Sequence, residues 1–143
     1  MPPADDLAPR LGTAIVRLTR VLRQQDEGEL TPTMRSMLGT IDRDGPVSLG
    51  ELAVAEHVAP PTVTKVVGKL EESGLVARTV DEADRRVTRV ELTAAGRSRL
   101  AAARRARATW LAARLAELDA DERAAVEAAL PVLERLTGQV VRP

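Results

Sequence analysis

Apolar residues recur at intervals of three and four along most of this chain, which is the periodicity of amphipathic helices. The first such segment predicts a helix with one apolar stripe. Its members are Leu7, Leu11, Ile15, Leu18 and Leu22. A second helix begins at Thr31-Pro32, where a threonine cap precedes a proline in the first turn. Gly45-Pro46 ends it, and Val47 is a candidate for a short strand.

Two further helices follow, separated by a short turn. Ser48 and Glu51 lie three residues apart, which predicts a capping box at the start of a short helix ending near Glu56. Pro60 or Pro61 then occupies the first turn of the next helix, where the missing amide costs nothing. A short helix that braces a second one is the arrangement of a helix-turn-helix.

The periodicity changes after this pair of helices. Residues 75–80 and 87–92 are rich in β-branched side chains and enclose the polar sequence DEADRR, which predicts a hairpin with an exposed loop. Thr93 caps a long helix of about 39 Å that ends near Leu118, and Asp119 opens a last helix that Pro131 is expected to bend. The predicted fold class is mainly α with a small β-hairpin wing (α+β).

The outer helices carry apolar stripes for which a small winged domain has little core to offer. We therefore predict that residues 31–96 form a winged helix-turn-helix domain and that residues 1–30 and 97–143 form a helical dimerisation region. A two-fold homodimer would bury these stripes against their copies. A monomeric helical bundle beside the wing is the alternative.

Composition narrows the class of function. The 143 residues include no cysteine, which excludes disulfides, zinc-thiolate sites and thiol redox switches. One tryptophan and no tyrosine or phenylalanine cannot build a stacking platform for single-stranded bases, so a nucleic-acid partner would be double-stranded DNA. The first ten residues do not resemble a signal peptide and no apolar run suits a bilayer, so we expect a cytoplasmic protein without a membrane partner.

The net charge is zero, but the charge is unevenly distributed. Residues 1–58 contain six arginines and nine acids, a net of −3, and residues 108–143 contain four arginines and six acids, a net of −2. Residues 59–107 contain eleven lysines and arginines against six acids, a net of +5. This basic segment coincides with the second helix of the pair and the hairpin, where local charge would attract phosphates.

Candidate DNA-binding residues lie on the outward face of that helix and at the hairpin tip. Lysines can reach phosphates or guanine edges, threonines can contact phosphates or thymine methyl groups, and exposed arginines suit a phosphate or a narrow minor groove. The alternative interpretation is a solvated helix face and a surface salt-bridge cluster. The candidates are Pro61, Thr62, Thr64, Lys65 and Lys69 on the helix, with Asp84, Arg85 and Arg86 in the hairpin.

The run GLVAR-x2-D-x2-DRR, followed by a strand and LTAAG, resembles the winged-helix segment of the MarR family of bacterial regulators. The similarity extends over nearly the whole chain. It implies homodimers that bind pseudo-palindromic operators, commonly as repressors, with the groove helix at 60–73. It further implies that Arg86 reaches the minor groove with Asp84 as its supporting carboxylate. Ser48, at the start of the bracing helix, is a candidate phosphate contact.

The chain departs from this family pattern at the start of the groove helix, where Ala59 cannot cap. The absence of cysteine also excludes the family's thiol-oxidation branch. Two possibilities remain. Either a small-molecule effector binds between the dimerising helices and the winged domain and regulates the protein, or there is no effector. Trp110 could line such a pocket or simply pack. We expect no cofactor and no metal, because His57 has no second ligand type at metal spacing.

These observations predict a sequence-specific transcriptional regulator that binds double-stranded DNA as a homodimer. A repressor that a small ligand releases is the specific form of this prediction. An enzyme is disfavoured, because no nucleophile–base pair and no glycine-rich phosphate loop is present. The alternative is a winged helix used as a protein-interaction module without DNA binding, although such a module would not require the basic segment.

Overall fold

The computed structural model describes residues 4–26 and 28–138; residues 1–3, Glu27 and residues 139–143 lie outside the described part. Within it the chain forms six helices and three short strands, which confirms the predicted fold class. In chain order they are α1 (Ala4–Gln24), α2 (Pro32–Asp44), β1 (Val47–Ser48), α3 (Leu49–Glu56), α4 (Pro60–Glu72), β2 (Val76–Val80), β3 (Thr88–Leu92), α5 (Ala94–Ala116) and α6 (Ala120–Leu136). The contacts divide the chain into two compact units, residues 1–107 and 108–143.

The predicted elements are present, with small shifts at their ends. Both hairpin strands begin one residue later than predicted, because Leu75 and Val87 belong to turns. The Leu75 amide donates to the Leu70 carbonyl oxygen at 2.9 Å, and the Val87 amide donates to the Asp84 carbonyl oxygen at 2.9 Å. Helix α5 ends at Ala116 rather than near residue 118, where the last amides bond three residues back instead of four.

The hydrophobic core of the first unit lies where α2, α3 and α4 meet the sheet and the first half of α5. Each helix contributes the apolar positions that share one of its faces. Its fully or almost fully buried members are Met37, Leu38, Ile41, Val47, Leu52, Ala53, Val63, Val67, Leu70, Val76, Val90, Leu92 and Leu100. Because α4 turns Val63, Val67 and Leu70 into this core, its opposite face remains exposed to solvent.

The sheet is antiparallel, with the strand order β1-β3-β2. Strands β2 and β3 form the hairpin, with Val76 opposite Leu92 at its base and Val80 opposite Thr88 near its tip. The short strand predicted at Val47 is confirmed, and it pairs with β3 so that Ser48 lies opposite Arg89. The residue that caps α3 is therefore also a member of the sheet that carries the wing.

Helix α5 begins against the turn between α4 and β2. The Thr93 hydroxyl donates to the Gly74 carbonyl oxygen at 2.6 Å and accepts from the Gly96 amide at 3.0 Å, which confirms Thr93 as a cap. A Cβ atom on Gly96 would overlap the carbonyl oxygen of Leu75. Glycine at 96 therefore lets the helix approach the turn closely.

The second unit contains the end of α5 and all of α6. Asp119 begins α6, as predicted, and forms a capping box with Glu122: the Glu122 amide donates to Asp119 Oδ1 at 2.8 Å, and the Asp119 amide donates to Glu122 Oε2 at 3.0 Å. The Arg114 guanidinium lies 5.3 Å from the ring centroid of Trp110, a cation–π contact on the surface of α5. Helix α6 continues past Pro131 to Leu136.

Large apolar side chains are exposed along α1 and α6, and within the described residues α6 has no buried residue. They repeat at helical spacing, so each helix presents one apolar stripe. The stripe residues are Leu7, Ile15 and Leu18 in α1, and Val126, Leu130, Leu133 and Leu136 in α6. None of the described helices has the length and apolar character needed to cross a membrane.

Candidate nucleic-acid interface

The start of α4 is built from prolines rather than from a capping side chain. Ala59 occupies the N-cap position in an extended conformation and offers no side-chain hydrogen bond, as its methyl group dictates. Pro60 and Pro61 fill the first turn with backbone angles already suited to a helix. The helix therefore begins where the sequence predicts, but without the additional stability of a cap.

The same prolines remove the main-chain donors with which helix N-termini usually bind phosphate. Pro60 and Pro61 have no amide hydrogen. The Thr62 amide donates to the Ala59 carbonyl oxygen at 2.9 Å, and the Val63 amide donates to the same oxygen at 3.3 Å. Any attraction of α4 for DNA must therefore come from side chains.

The exposed face of α4 carries cationic side chains without acidic partners. Lys65 and Lys69 are exposed, and no carboxylate within residues 4–26 and 28–138 forms an ion pair with either. Thr62 and Pro61 are exposed beside them. The structure thus brings Pro61, Thr62 and the two lysines to the solvent side of one helix, as predicted.

Thr64 is exposed as well, but its hydroxyl group is already in use. It donates to the Pro60 carbonyl oxygen at 3.2 Å, one turn back along the helix. The hydroxyl hydrogen is therefore committed, and Thr64 presents its methyl group and an oxygen that can only accept. Its chemistry toward a ligand is more apolar than the sequence indicates.

Ser48 begins α3 through the capping box that the sequence predicts. Its hydroxyl oxygen accepts from the Glu51 amide at 3.0 Å, while the Ser48 amide donates to Glu51 Oε2 at 2.9 Å. The hydrogen bond from the Ser48 backbone is the largest cause of a lowered pKa at the Glu51 carboxyl. The hydroxyl hydrogen of Ser48 remains available to an external acceptor such as a phosphate.

The wing tip holds one of its two arginines in place. The Arg86 guanidinium donates to both carboxylate oxygens of Asp84, from Nε at 3.1 Å and from Nη2 at 3.3 Å, and the Arg86 amide adds a third bond at 3.1 Å. These bonds lower the pKa of Asp84. The Arg86 side chain is nevertheless 91% exposed. Arg85 is exposed beside it, with no ion pair in the described part of the chain.

A second carboxylate, Asp81, organises the base of the wing loop. Its side chain accepts from the amides of Ala83 at 2.8 Å and Asp84 at 3.1 Å, and from Arg89 Nε at 2.6 Å. The bond from Arg89 is the largest cause of the lowered pKa of Asp81. Sequence analysis did not identify Asp81 or Arg89 as site residues. The sequence feature that could have identified them is an aspartate and an arginine on opposite sides of the predicted hairpin. Recognising that they face each other requires the strand register, which the structure supplies.

Arg78 joins the hairpin to the end of α4. Its Nε lies 3.3 Å from Glu71 Oε2, and the side chain is partly buried. The acid that Arg78 meets belongs to the last turn of the helix. This contact fixes strand β2 against α4, so we assign it a structural role.

A buried carboxylate that sequence analysis also missed lies between α1 and α2. The Asp26 side chain is only 6% exposed, and it accepts from Arg35 Nη2 at 2.9 Å and lies 2.9 Å from Arg99 Nη2. It therefore links the loop after α1 to α2 and to α5. An open cavity of about 430 Å³ adjoins this cluster, lined by Gln25, Asp26, Gly28, Arg99, Ala102 and Ala106.

His57 lies in the turn between α3 and α4. It has a positive φ of 54°, ends α3 as its C-cap and is exposed to solvent. Throughout the described ranges, no group of three or more His, Asp or Glu side chains is arranged to hold a metal ion. The turn role of His57 accounts for its position.

Comparison with known proteins identifies the family. The MarR family model matches residues 30–88. An HTH-type transcriptional regulator of Mycobacterium bovis is 35% identical over 134 residues, covering 93% of this chain and 94% of the relative. The chain belongs to the MarR family.

Two further similarities agree with this membership. A transcriptional regulator from Pseudomonas aeruginosa, known from its crystal structure, has a TM-score of 0.85 at 36% identity, covering 97% of this chain and 100% of that chain. The HTH-type transcriptional repressor MdtR of Bacillus subtilis is 32% identical over 76 residues, which are 53% of this chain and 49% of the repressor. MarR-family proteins are DNA-binding transcriptional regulators and not enzymes. Membership therefore identifies this protein as one.

Proposed function

We propose that this MarR-family regulator is a repressor that binds a pseudo-palindromic operator as a homodimer and is released by a small ligand. The observation that carries the proposal is the set of cations without acidic partners on α4 and at the wing tip. Lys65, Lys69 and Arg85 are exposed and form no ion pair within the described residues. A surface shaped only by stability and solubility would place acids among them.

In the proposed complex α4 enters the major groove by its exposed face. Lys65 and Lys69 approach phosphates or guanine edges, and Thr62 contacts a phosphate oxygen or a thymine methyl group. Ser48 donates its free hydroxyl hydrogen to a backbone phosphate at the start of α3. Because Pro60 and Pro61 remove the main-chain donors of α4, these side chains supply its interaction with DNA.

The wing is proposed to reach the minor groove or the adjoining backbone through Arg86. A guanidinium has five N–H donors, and Asp84 engages two of them, so three remain for DNA. Asp84 orients the Arg86 guanidinium before DNA binds, so less conformational entropy is lost when the arginine is immobilised on DNA. Arg85 contributes a further positive charge beside a groove of strong negative potential.

Homodimerisation is proposed from the apolar stripes of α1 and α6. Leu7 and Leu136 are 64% and 68% exposed, and Leu18 and Leu130 are each exposed by nearly half. A stripe of this kind is usually covered by a partner. Assignment of the dimerisation region to residues 1–30 and 97–143 remains part of this proposal. The repressor role is supported by the similarity to the repressor MdtR of Bacillus subtilis.

The effector is proposed to bind in the cavity beside Asp26. That cavity lies between the loop after α1 and α5. The family resemblance implies an effector site, if there is one, between the dimerising helices and the winged domain. Asp26 connects this loop to α2 through Arg35 and to α5 through Arg99, so a ligand that competes for the Arg99 guanidinium would alter how α5 is held.

The decisive test is duplex binding at several salt concentrations, followed by footprinting of the protein on its own upstream region. We expect the logarithm of the affinity to fall steeply with the logarithm of the salt concentration, because phosphate contacts release counterions. A symmetric footprint with two half-sites one helical turn apart is expected of the dimer. A flat salt response would instead favour the alternative of a protein-interaction module.

A further inference from the structure

Gly68 occupies an unusual position on α4. It lies in the interior of the helix, on the face opposite Val63, Val67 and Leu70, one turn after Thr64 and Lys65. Glycine is a poor helix former, because its unfolded backbone has more conformational freedom to lose. Gly12 and Gly39 are likewise interior helical glycines, so what distinguishes Gly68 is its place on α4 beside Lys65.

The packing of the fold does not require glycine at position 68. A Cβ atom built on Gly68 meets no atom within 4 Å, whereas one on Gly96 would overlap the Leu75 carbonyl oxygen. The backbone of Gly68 is helical, and its φ is not in the left-handed region that favours glycine. Alanine would therefore fit at position 68 in the isolated protein and would stabilise α4.

The neighbours of Gly68 make a low, apolar strip along the helix. Pro61, Thr64 and Gly68 lie at intervals of three and four, so they follow one row on the exposed face. Pro61 has no amide hydrogen, and the hydroxyl of Thr64 donates to its own helix. This row therefore presents methyl and methylene groups and the bare backbone of Gly68. Lys65, beside the row, presents a long cationic side chain instead.

We propose that Gly68 is a specificity-determining residue, whose missing side chain lets α4 approach the base edges closely and leaves room for a thymine methyl group. The inference rests on the proposed function, because it requires α4 to lie in the major groove. The C5 methyl of thymine is the apolar group that this groove displays. A strip without free donors suits that group better than it suits the polar edges of guanine, adenine or cytosine.

The test uses a duplex that the wild-type protein selects from a random library. We expect Gly68→Ala to raise the melting temperature of the protein by roughly 2–4 °C. We expect Gly68→Leu to weaken binding to the selected duplex by roughly tenfold or more, comparable to a mismatched base pair. Binding to a scrambled duplex at low salt should stay unchanged, since phosphates dominate there. Gly39→Ala, in the interior of α2 and equally free of contacts, is the matched control and should bind as the wild type does.

Replacing single thymines of the selected duplex by uracil identifies the methyl group. At one position of each half-site, the uracil substitution should lower the affinity of the wild type about fourfold, the value of one buried methyl group. The same substitution should not lower the affinity of Gly68→Leu any further. If Gly68→Leu binds the selected duplex as tightly as the wild type, or if the wild type ignores every methyl group, the inference is wrong. A wild-type protein that enriches no sequence would instead overturn the proposed function.

Discussion

Arg89 of β3 donates from Nη1 to Glu51 Oε2 of α3 at 3.2 Å, between residues 38 positions apart in the chain. The same guanidinium donates from Nε to Asp81 at the base of the wing loop, at 2.6 Å. Glu51 in turn accepts from the amide of Ser48. One arginine thus connects the start of the bracing helix to the loop that carries Arg86.

We therefore expect Arg89→Ala to weaken duplex binding although Arg89 is not proposed to contact DNA. The wing loop would lose its connection to α3, so Arg86 would be less well oriented. The expected loss is roughly 2- to 30-fold, the range found for residues that act through a neighbour. It is measured by titrating a selected duplex at fixed salt.

Arg43→Ala is the matched control, because among the described residues Arg43 forms its ion pair with its neighbour Asp44 at the end of α2. It should leave the affinity unchanged. A phosphate contact made directly by Arg89 would lower the salt slope by about one, whereas a positioning role would leave the slope intact. A lowered slope would therefore contradict the positioning role.

The wing carboxylates should make stability depend on pH in the acid range. The bond from Arg89 lowers the pKa of Asp81 in the folded protein, so the unfolded chain binds that proton more tightly. The resulting stabilisation is complete above the unfolded pKa, near pH 4, and is lost as the pH falls through the lower folded value. Thermal unfolding of the wild type and Asp81→Asn should therefore differ at pH 7, and the difference should shrink as the pH falls from about 4 toward the lower folded pKa of Asp81. A difference that persists at the lowest pH would show that Asp81 acts through packing alone.

Lys65 should contribute one phosphate or base contact to binding. If it meets a phosphate, Lys65→Ala lowers the slope of log affinity against log salt by about 0.9 and weakens all sequences alike. If it meets a guanine edge, the variant relaxes specificity at one base pair. Arg123→Ala, an exposed change on α6, should alter neither quantity. If the two variants have the same salt slope and the same specificity, Lys65 does not contact DNA.

A serine at the start of α4 should stabilise the protein. In Ala59→Ser the hydroxyl can offer a second acceptor to the Thr62 amide, which donates to the Ala59 carbonyl oxygen at 2.9 Å. The Thr31 hydroxyl accepts from the Met34 amide in this way at the start of α2. The free energy of unfolding should rise by about 0.5–1 kcal/mol, the lower part of the range for N-caps. Denaturant titration measures it. Ala55→Ser, at an exposed position in the last turn of α3, should instead lower stability by a few tenths of a kcal/mol.

A charge in the apolar stripe of α6 should separate the subunits. Leu130→Glu places a carboxylate where the proposed dimer requires an apolar contact, so the variant should sediment as a monomer and bind a full operator weakly. Ala124→Glu adds the same charge to an exposed position about a third of a turn away from Leu130 and should sediment as the wild type does. If both variants sediment as monomers, or both as dimers, the dimer contact does not depend on Leu130 in the proposed way.

The fold and much of the candidate site follow from local sequence signals. The capping box at Ser48, the prolines at the start of α4 and the paired charges of Asp84 and Arg86 each involve residues within a few positions of one another. Asp26 and Arg89 were missed because their partners are distant in the chain. Their interactions depend on the strand register and on the packing of α5, which no short motif specifies. The strand ends were shifted for a similar reason, since turn hydrogen bonds claimed the terminal residues.

The contact between Trp110 and Arg114 gives the molecule a built-in optical probe. Trp110 is the only tryptophan, and the chain has no tyrosine, so its ultraviolet emission arises from a single ring near the end of α5. The guanidinium above that ring makes the emission sensitive to any rearrangement there. Because there is also no cysteine, one introduced at the wing would be the only thiol available to an acceptor dye. Energy transfer between the two positions could then follow the wing in solution with a single substitution.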